Sequence, residues 1–140
     1  MGTALETAPG ILLIGSSQGQ TRQMQQDLAE AGYSSVVAHT TQAALSLLSQ
    51  TSPALIVVDR LLGNESGLVL CQTLRSQGVK TPILLLMVRD NLEDRISCLE
   101  SGADDYYLKP YQAEAFLKIV RLYLQSSPVT AENQIGRAHV

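Results

Sequence analysis

Five short, unbroken apolar runs alternate with stretches of helical periodicity, and no other feature of the chain limits its fold so strongly. The runs are Ile11–Ile14, Ser35–Ala38, Ala54–Asp59, Ile83–Val88 and Tyr106–Lys109. They are continuous rather than alternating in polarity, as strands are when helices cover both faces of a parallel sheet. Between them lie five helical patterns. Thr21–Ala31 carries Met24, Leu28 and Ala31 at core spacing, and Thr41–Gln50 carries Ala44, Leu47 and Leu48. Leu68–Gln77 follows Gly67. Asn91–Ser101 opens on Asp90 and Glu93, which reads as a capping box, and Gln112–Gln125 is the last. Gly32, Gly78 and Gly102 stand where helices should stop. Five such units predict an α/β fold: a doubly wound, five-stranded parallel sheet with helices on both faces. Sites in these folds gather at the carboxyl ends of the strands, here Gly15–Ser17, Asp59, Met87–Val88 and Lys109.

The rest of the composition narrows the class. The chain has 140 residues, enough for one domain with a proper core and too few for two. A net charge of -3 leaves no basic patch to neutralise phosphates, so no nucleic acid partner is expected for this domain. Apolar runs such as Pro82–Val88 are far short of a membrane span, and no signal sequence opens the chain. A cytoplasmic domain without membrane contact is the expectation. Cys71 and Cys98 fall inside helical patterns with no ligand spacing around them, and read as reduced core residues. Residues 1–9 are expected to be a flexible tail, 10–125 the domain, and 126–140 a linker or tail, in part appended.

Asp59 ends the third run and Lys109-Pro110 ends the fifth. With Gly67 and Gly102-Ala103-Asp104-Asp105-Tyr106 in register, the chain over about residues 10–125 resembles the receiver domains of two-component response regulators, especially the OmpR/PhoB branch. The fold this implies is the (βα)5, flavodoxin/CheY-like one. The resemblance also implies that Asp59 is the phosphoacceptor, that Lys109 contacts the phosphoryl group, and that the Lys109-Pro110 peptide is cis.

Several positions depart from that pattern. The family's two acidic residues after the first strand, which help to hold magnesium, are Gly15 and Ser16 here. Magnesium depends on carboxylate oxygens, so no metal and no cofactor is expected. The Ser/Thr that receives the phosphoryl group after the fourth strand is Met87, whose thioether cannot donate. Gly63 stands where a proline is usual. Retained Asp59 with a lost acidic pair is also similar to cyanobacterial NblR-like proteins. An ordinary pocket balances three carboxylates against one lysine and Mg²⁺, whereas Asp59 and Lys109 balance each other unaided. Such a pair attracts by roughly 4 kcal/mol at about 4 Å and an effective dielectric of about 20.

The expectation that follows is a non-enzymatic signalling and protein-interaction module. It would act without Mg-assisted aspartyl phosphorylation and control a DNA-binding output domain beyond residue 130. Two alternatives stand beside it. One is a conventional receiver phosphorylated on Asp59 by a histidine kinase. The other is a flavodoxin-like FMN carrier, suggested by Gly15-Ser16-Ser17-Gln18-Gly19-Gln20-Thr21 before a helix. Against the flavin stand the absence of tryptophan and of any aromatic in Arg60–Ser66.

By the same resemblance the fourth helix, fifth strand and fifth helix are the surface for partners or a homodimer, with Tyr106 reporting the switch. Arg95 and Asp104 match the family's bridge residues, but the partners expected on the last helix are Ala115 and Ile119. Ala115, Ile119 and Leu122 form a row at helical spacing. Part of that row is expected to be interface, beside Phe116, Val120 and Tyr123 as core.

Overall fold

The structure, a computed structural model, describes residues 10–125. The two expected tails lie outside these residues. Five strands make the main sheet: β1 (Gly10–Ile14), β2 (Ser34–Ala38), β3 (Leu55–Asp59), β6 (Ile83–Met87) and β7 (Asp105–Leu108). They are all parallel, in the spatial order β2-β1-β3-β6-β7. The order reverses between β1 and β3, and the carboxyl ends at that reversal are where a doubly wound sheet opens a crevice.

Five helices cover the sheet: α1 (Gln18–Glu30), α2 (Thr41–Leu48), α3 (Gly67–Ser76), α4 (Leu92–Glu100) and α5 (Ala113–Gln125). Ile11, Leu13, Leu55, Val57, Leu84 and Leu86 point to one face, where Met24 and Leu28 of α1 and Phe116 and Val120 of α5 close over them. Leu12, Ile14, Ile56, Val58, Ile83 and Leu85 point to the other, against Ala44 of α2, Leu70 and Leu74 of α3, and Cys98 of α4. Every residue of β3 and β6 is buried, which is why these strands read as unbroken apolar runs.

The sequence placed these elements well and some of their ends wrongly. Helix α1 begins three residues before Thr21, because Ser17 serves as N-cap and accepts a bond from the Gln20 amide. The cap of α4 is Asn91, which accepts from the Asp94 amide. Asp90 is therefore not half of a capping box; it binds Arg95 instead. Strand β7 starts and stops one residue earlier than expected. The loop after β3 holds an unforeseen antiparallel hairpin, β4 (Leu61–Leu62) with β5 (Glu65–Ser66). Gly63 occupies the first position of its two-residue turn with φ +66, where a proline could not stand. Glu65 accepts a bond from the Thr41 amide, docking the hairpin on the start of α2.

Gly32, Gly78 and Gly102 do follow helices, each with positive φ. Gly102 is doubly determined. Its φ is +97, and a Cβ there would lie 2.6 Å from Arg75 Cγ. Arg75 on α3 donates to the carbonyls of Gly102, Val79 and Thr81 and to Asp104 Oδ2, tying α3 to two loops.

Candidate functional site

Asp59 is the last residue of β3 and 5% exposed. Its Oδ2 lies 2.7 Å from Lys109 Nζ, at the carboxyl end of β7. Its Oδ1 accepts from the Leu61 amide at 3.1 Å, and Gln20 Nε2 of α1 approaches Oδ2 at 3.5 Å. The carboxylate is thus held by one cation and two N–H groups from three directions. The Lys109-Pro110 peptide is cis.

The close packing beneath the acid depends on Gly67. A Cβ at that position would collide with the backbone carbonyl of Asp59, so the first residue of α3 can only be glycine at this approach. Gly15 is buried beside Asp59, and Ser16 is exposed. Met87 ends β6 and is buried in the cluster under α3 and α4, so its thioether is core packing at the position of the family's hydroxyl. Magnesium keeps several waters and is held through one or two carboxylates. Among the described residues no group of three or more His, Cys, Asp or Glu is placed to hold a metal ion. With Gly15 and Ser16 after β1, that loop brings no carboxylate to the side of Asp59.

A second set of charges lies just beyond the ends of β3 and β6, and nothing in the residue spacing marked it. Arg60 follows Asp59 directly. Its Nη2 lies 3.7 Å from Asp94 Oδ1 on the first turn of α4. Arg89, two residues beyond Met87, places its Nε 3.2 Å from Asp94 Oδ2. Asp94 is buried, although it carries a charge. Arg60 Nε is buried with no hydrogen-bond partner, a deficit that costs about 1–3 kcal/mol. Spacing could not have predicted this trio, because its members come from two loops and a helix.

The surface residues named from the sequence are brought together only in part. Tyr106 is half-buried against the core, with its hydroxyl 3.4 Å from Asp90 Oδ1. Arg95 binds the same carboxylate, and the Arg95 guanidinium with the Tyr106 hydroxyl holds Asp90 below the usual carboxylate range. Asp104 is taken by Arg75 and the Ile83 amide. Both bridge residues are therefore engaged within the chain. The row on α5 also divides: Ala115 and Leu122 are exposed, whereas Ile119 packs against the core. Phe116 and Val120 are core as expected, and the half-buried Tyr123 donates its hydroxyl to Asp105. The apolar surface that spacing should have flagged is on α4. Leu92, Ile96 and Leu99, at i, i+4 and i+7, are 71%, 44% and 66% exposed.

A doubly wound parallel sheet with a buried acid and a lysine meeting at its carboxyl edge defines a recognisable class of signalling domain. The chain matches the response regulator receiver domain model over residues 11–121, and it belongs to that family. It is 34% identical over 115 residues to the response regulator MprA of Mycobacterium avium, covering 82% of this chain and 50% of that protein. The chain thus spans about half the length of the curated relatives it matches. Among solved structures, the receiver domain of Francisella response regulator 1452 is 27% identical with a TM-score of 0.80, over 86% of this chain and 99% of that one. A receiver domain of a Syntrophus aciditrophicus histidine kinase is 30% identical with a TM-score of 0.78, over 86% and 92%.

These findings correct the functional expectation drawn from the sequence. The matched proteins are response regulators and receiver domains, and the fold superposes on solved receivers with TM-scores of 0.78 and 0.80. The reading as a module independent of aspartyl phosphorylation is therefore set aside in favour of a conventional receiver. Its physical weakness is visible in the site. The acidic pair and the hydroxyl are absent, but a buried carboxylate with a cation 2.7 Å away, Asp59 with Lys109, is kept. The flavin carrier falls with the same family match. Among the described residues no helix is long and apolar enough to cross a membrane.

Proposed function

We propose that this domain is a receiver of the OmpR/PhoB-like branch, phosphorylated on Asp59 by a histidine kinase. The observation that carries the reading is the Asp59–Lys109 pair at 2.7 Å on the carboxyl edge of the sheet. A carboxylate oxygen of Asp59 attacks phosphorus, the donor's bond to phosphorus breaks, and Lys109 remains beside the new phosphoryl oxygens. Such transfer rests on positioning and on charge stabilisation rather than on side-chain covalent chemistry. The branch assignment rests on Gly102–Tyr106 and Lys109-Pro110.

The domain works on a longer protein, with a DNA-binding output segment as the proposed target of the switch. The face formed by α4, β7 and α5 is the proposed contact surface, for a second copy or for the output segment. Leu92, Ile96 and Leu99 give it apolar area that a charged partner set would not need. Incubation with an acyl phosphate should add one phosphoryl group to the protein by intact mass. Asp59→Asn should abolish the addition; an unmodified parent protein, or equal modification of the variant, contradicts the reading.

A further inference from the structure

The phosphoryl group proposed for Asp59 brings negative charge to a place where the family's acidic pair and hydroxyl are absent. We propose that Arg60 and Arg89 are the groups that receive it, and that Asp94 holds them in reserve until it arrives. This rests on the reading of Asp59 as phosphoacceptor and adds how the phosphorylated state is held and transmitted.

Charge and placement carry the argument. Asp59 and Lys109 cancel in the resting site. Arg60, Arg89 and Asp94, at the ends of the two neighbouring strands and the start of α4, together carry one positive charge. Converting the carboxylate to an aspartyl phosphate raises its charge from one negative to about two. The surplus cation then balances the group, so the five residues are poised for the phosphorylated state rather than the resting one.

Both arginines stand just beyond the carboxyl ends of β3 and β6, the paired strands at the acceptor. Arg60 follows the acceptor in the chain, and its amide donates to Leu86, the strand partner of Asp59. Arg89 leaves the end of that neighbouring strand and keeps a side chain 67% exposed and free to turn. Both are attached loosely. The Arg60 contact with Asp94 is 3.7 Å, Arg60 Nε is buried without an acceptor, and Arg89 meets Asp94 through one nitrogen. A guanidinium prefers to meet phosphate through two parallel bonds, and neither arginine has such a partner in the trio.

Moving either arginine to the phosphoryl group leaves Asp94 buried in the first turn of α4 with less neutralising charge. The amino end of α4 must then shift or take up solvent, which carries the signal to the face bearing Leu92, Ile96 and Leu99. Met87 cannot supply the hydroxyl contact used elsewhere in the family, and this exchange of ion-pair partners takes its place.

The test compares three variants of the receiver with the parent, using an acyl phosphate as donor and intact mass as readout, with folding checked by thermal unfolding. Arg60→Gln and Arg89→Gln should each lower the yield or lifetime of the aspartyl phosphate by about tenfold or more, as loss of a charge-stabilising donor does. Asp94→Asn releases both arginines and should raise the yield or lifetime. A trio that merely braces α4 would instead move all three variants in the same direction, and that result overturns the inference. Equal behaviour of parent and variants overturns it too. If the parent takes no phosphoryl group at all, the reading of Asp59 fails and the inference falls with it.

Discussion

Arg75 Nη2 lies 2.7 Å from Asp104 Oδ2, so the acid that family resemblance assigns to an intersubunit bridge is bound within its own chain. The same guanidinium donates to three backbone carbonyls. Its role is to join the end of α3 to the loops that deliver β6 and β7 to the site edge.

Arg75→Ala should therefore destabilise the domain by about 2–4 kcal/mol, since several charged hydrogen bonds to part-buried acceptors are lost together. Arg75→Lys should recover little, because a single ammonium cannot span four acceptors. Urea unfolding of the three proteins measures both effects, and a lysine variant as stable as the parent contradicts them.

Gly67→Ala should cost about 1–3 kcal/mol or more, because the added methyl meets the Asp59 carbonyl rather than a flexible side chain. The displaced acid should also be phosphorylated more slowly. Thermal unfolding with intact mass checks both, and an alanine variant with unchanged stability contradicts the packing described for this turn.

The two thiols give stability a pH dependence. Burial pushes the Cys71 and Cys98 thiols from 9.0 up to about 11. The folded chain keeps these protons after the unfolded chain has released them. The stability they support is complete below about pH 9 and falls as pH rises toward 11. Cys71→Ala with Cys98→Ala should flatten that part of the profile, although cavities lower stability overall. At neutral pH both thiols should resist alkylation until the domain unfolds.

Placing carboxylates at positions 15 and 16 should create a divalent-cation site beside Asp59. Ser16 is exposed, and a Cβ at Gly15 would meet Thr21 Cγ2 at 3.2 Å, so Ser16→Asp fits more readily than Gly15→Asp. Magnesium titration followed by amide spectra should show tighter binding in the variant carrying both changes. Equal binding by the parent contradicts the reading of this edge.

Strands β1, β3 and β6 were legible because burial on both faces leaves an apolar run with no polar interruption. β2 is an edge strand with exposed Ser34 and Val36, and its run is correspondingly weak. The hairpin at Leu61–Ser66 was not legible, since two residues per strand carry no period. Asp59 and Lys109 could be found because each sits at a strand end, where the fold gathers its sites. Arg60, Arg89 and Asp94 could not, because their partnership exists only once α4 packs over two loops. How the row Ala115, Ile119 and Leu122 divides between core and surface could not be read, because helical spacing alone does not separate a half-buried flank from an exposed one.

The central claim is that Asp59 carries the phosphoryl group, and it can be tested at the level of the residue. Borohydride reduces an aspartyl phosphate to homoserine, which marks the acceptor in a peptide digest. After treatment with an acyl phosphate and borohydride, homoserine should appear at position 59 and at no other acidic position. Homoserine elsewhere, or none in protein shown to be folded, contradicts the account.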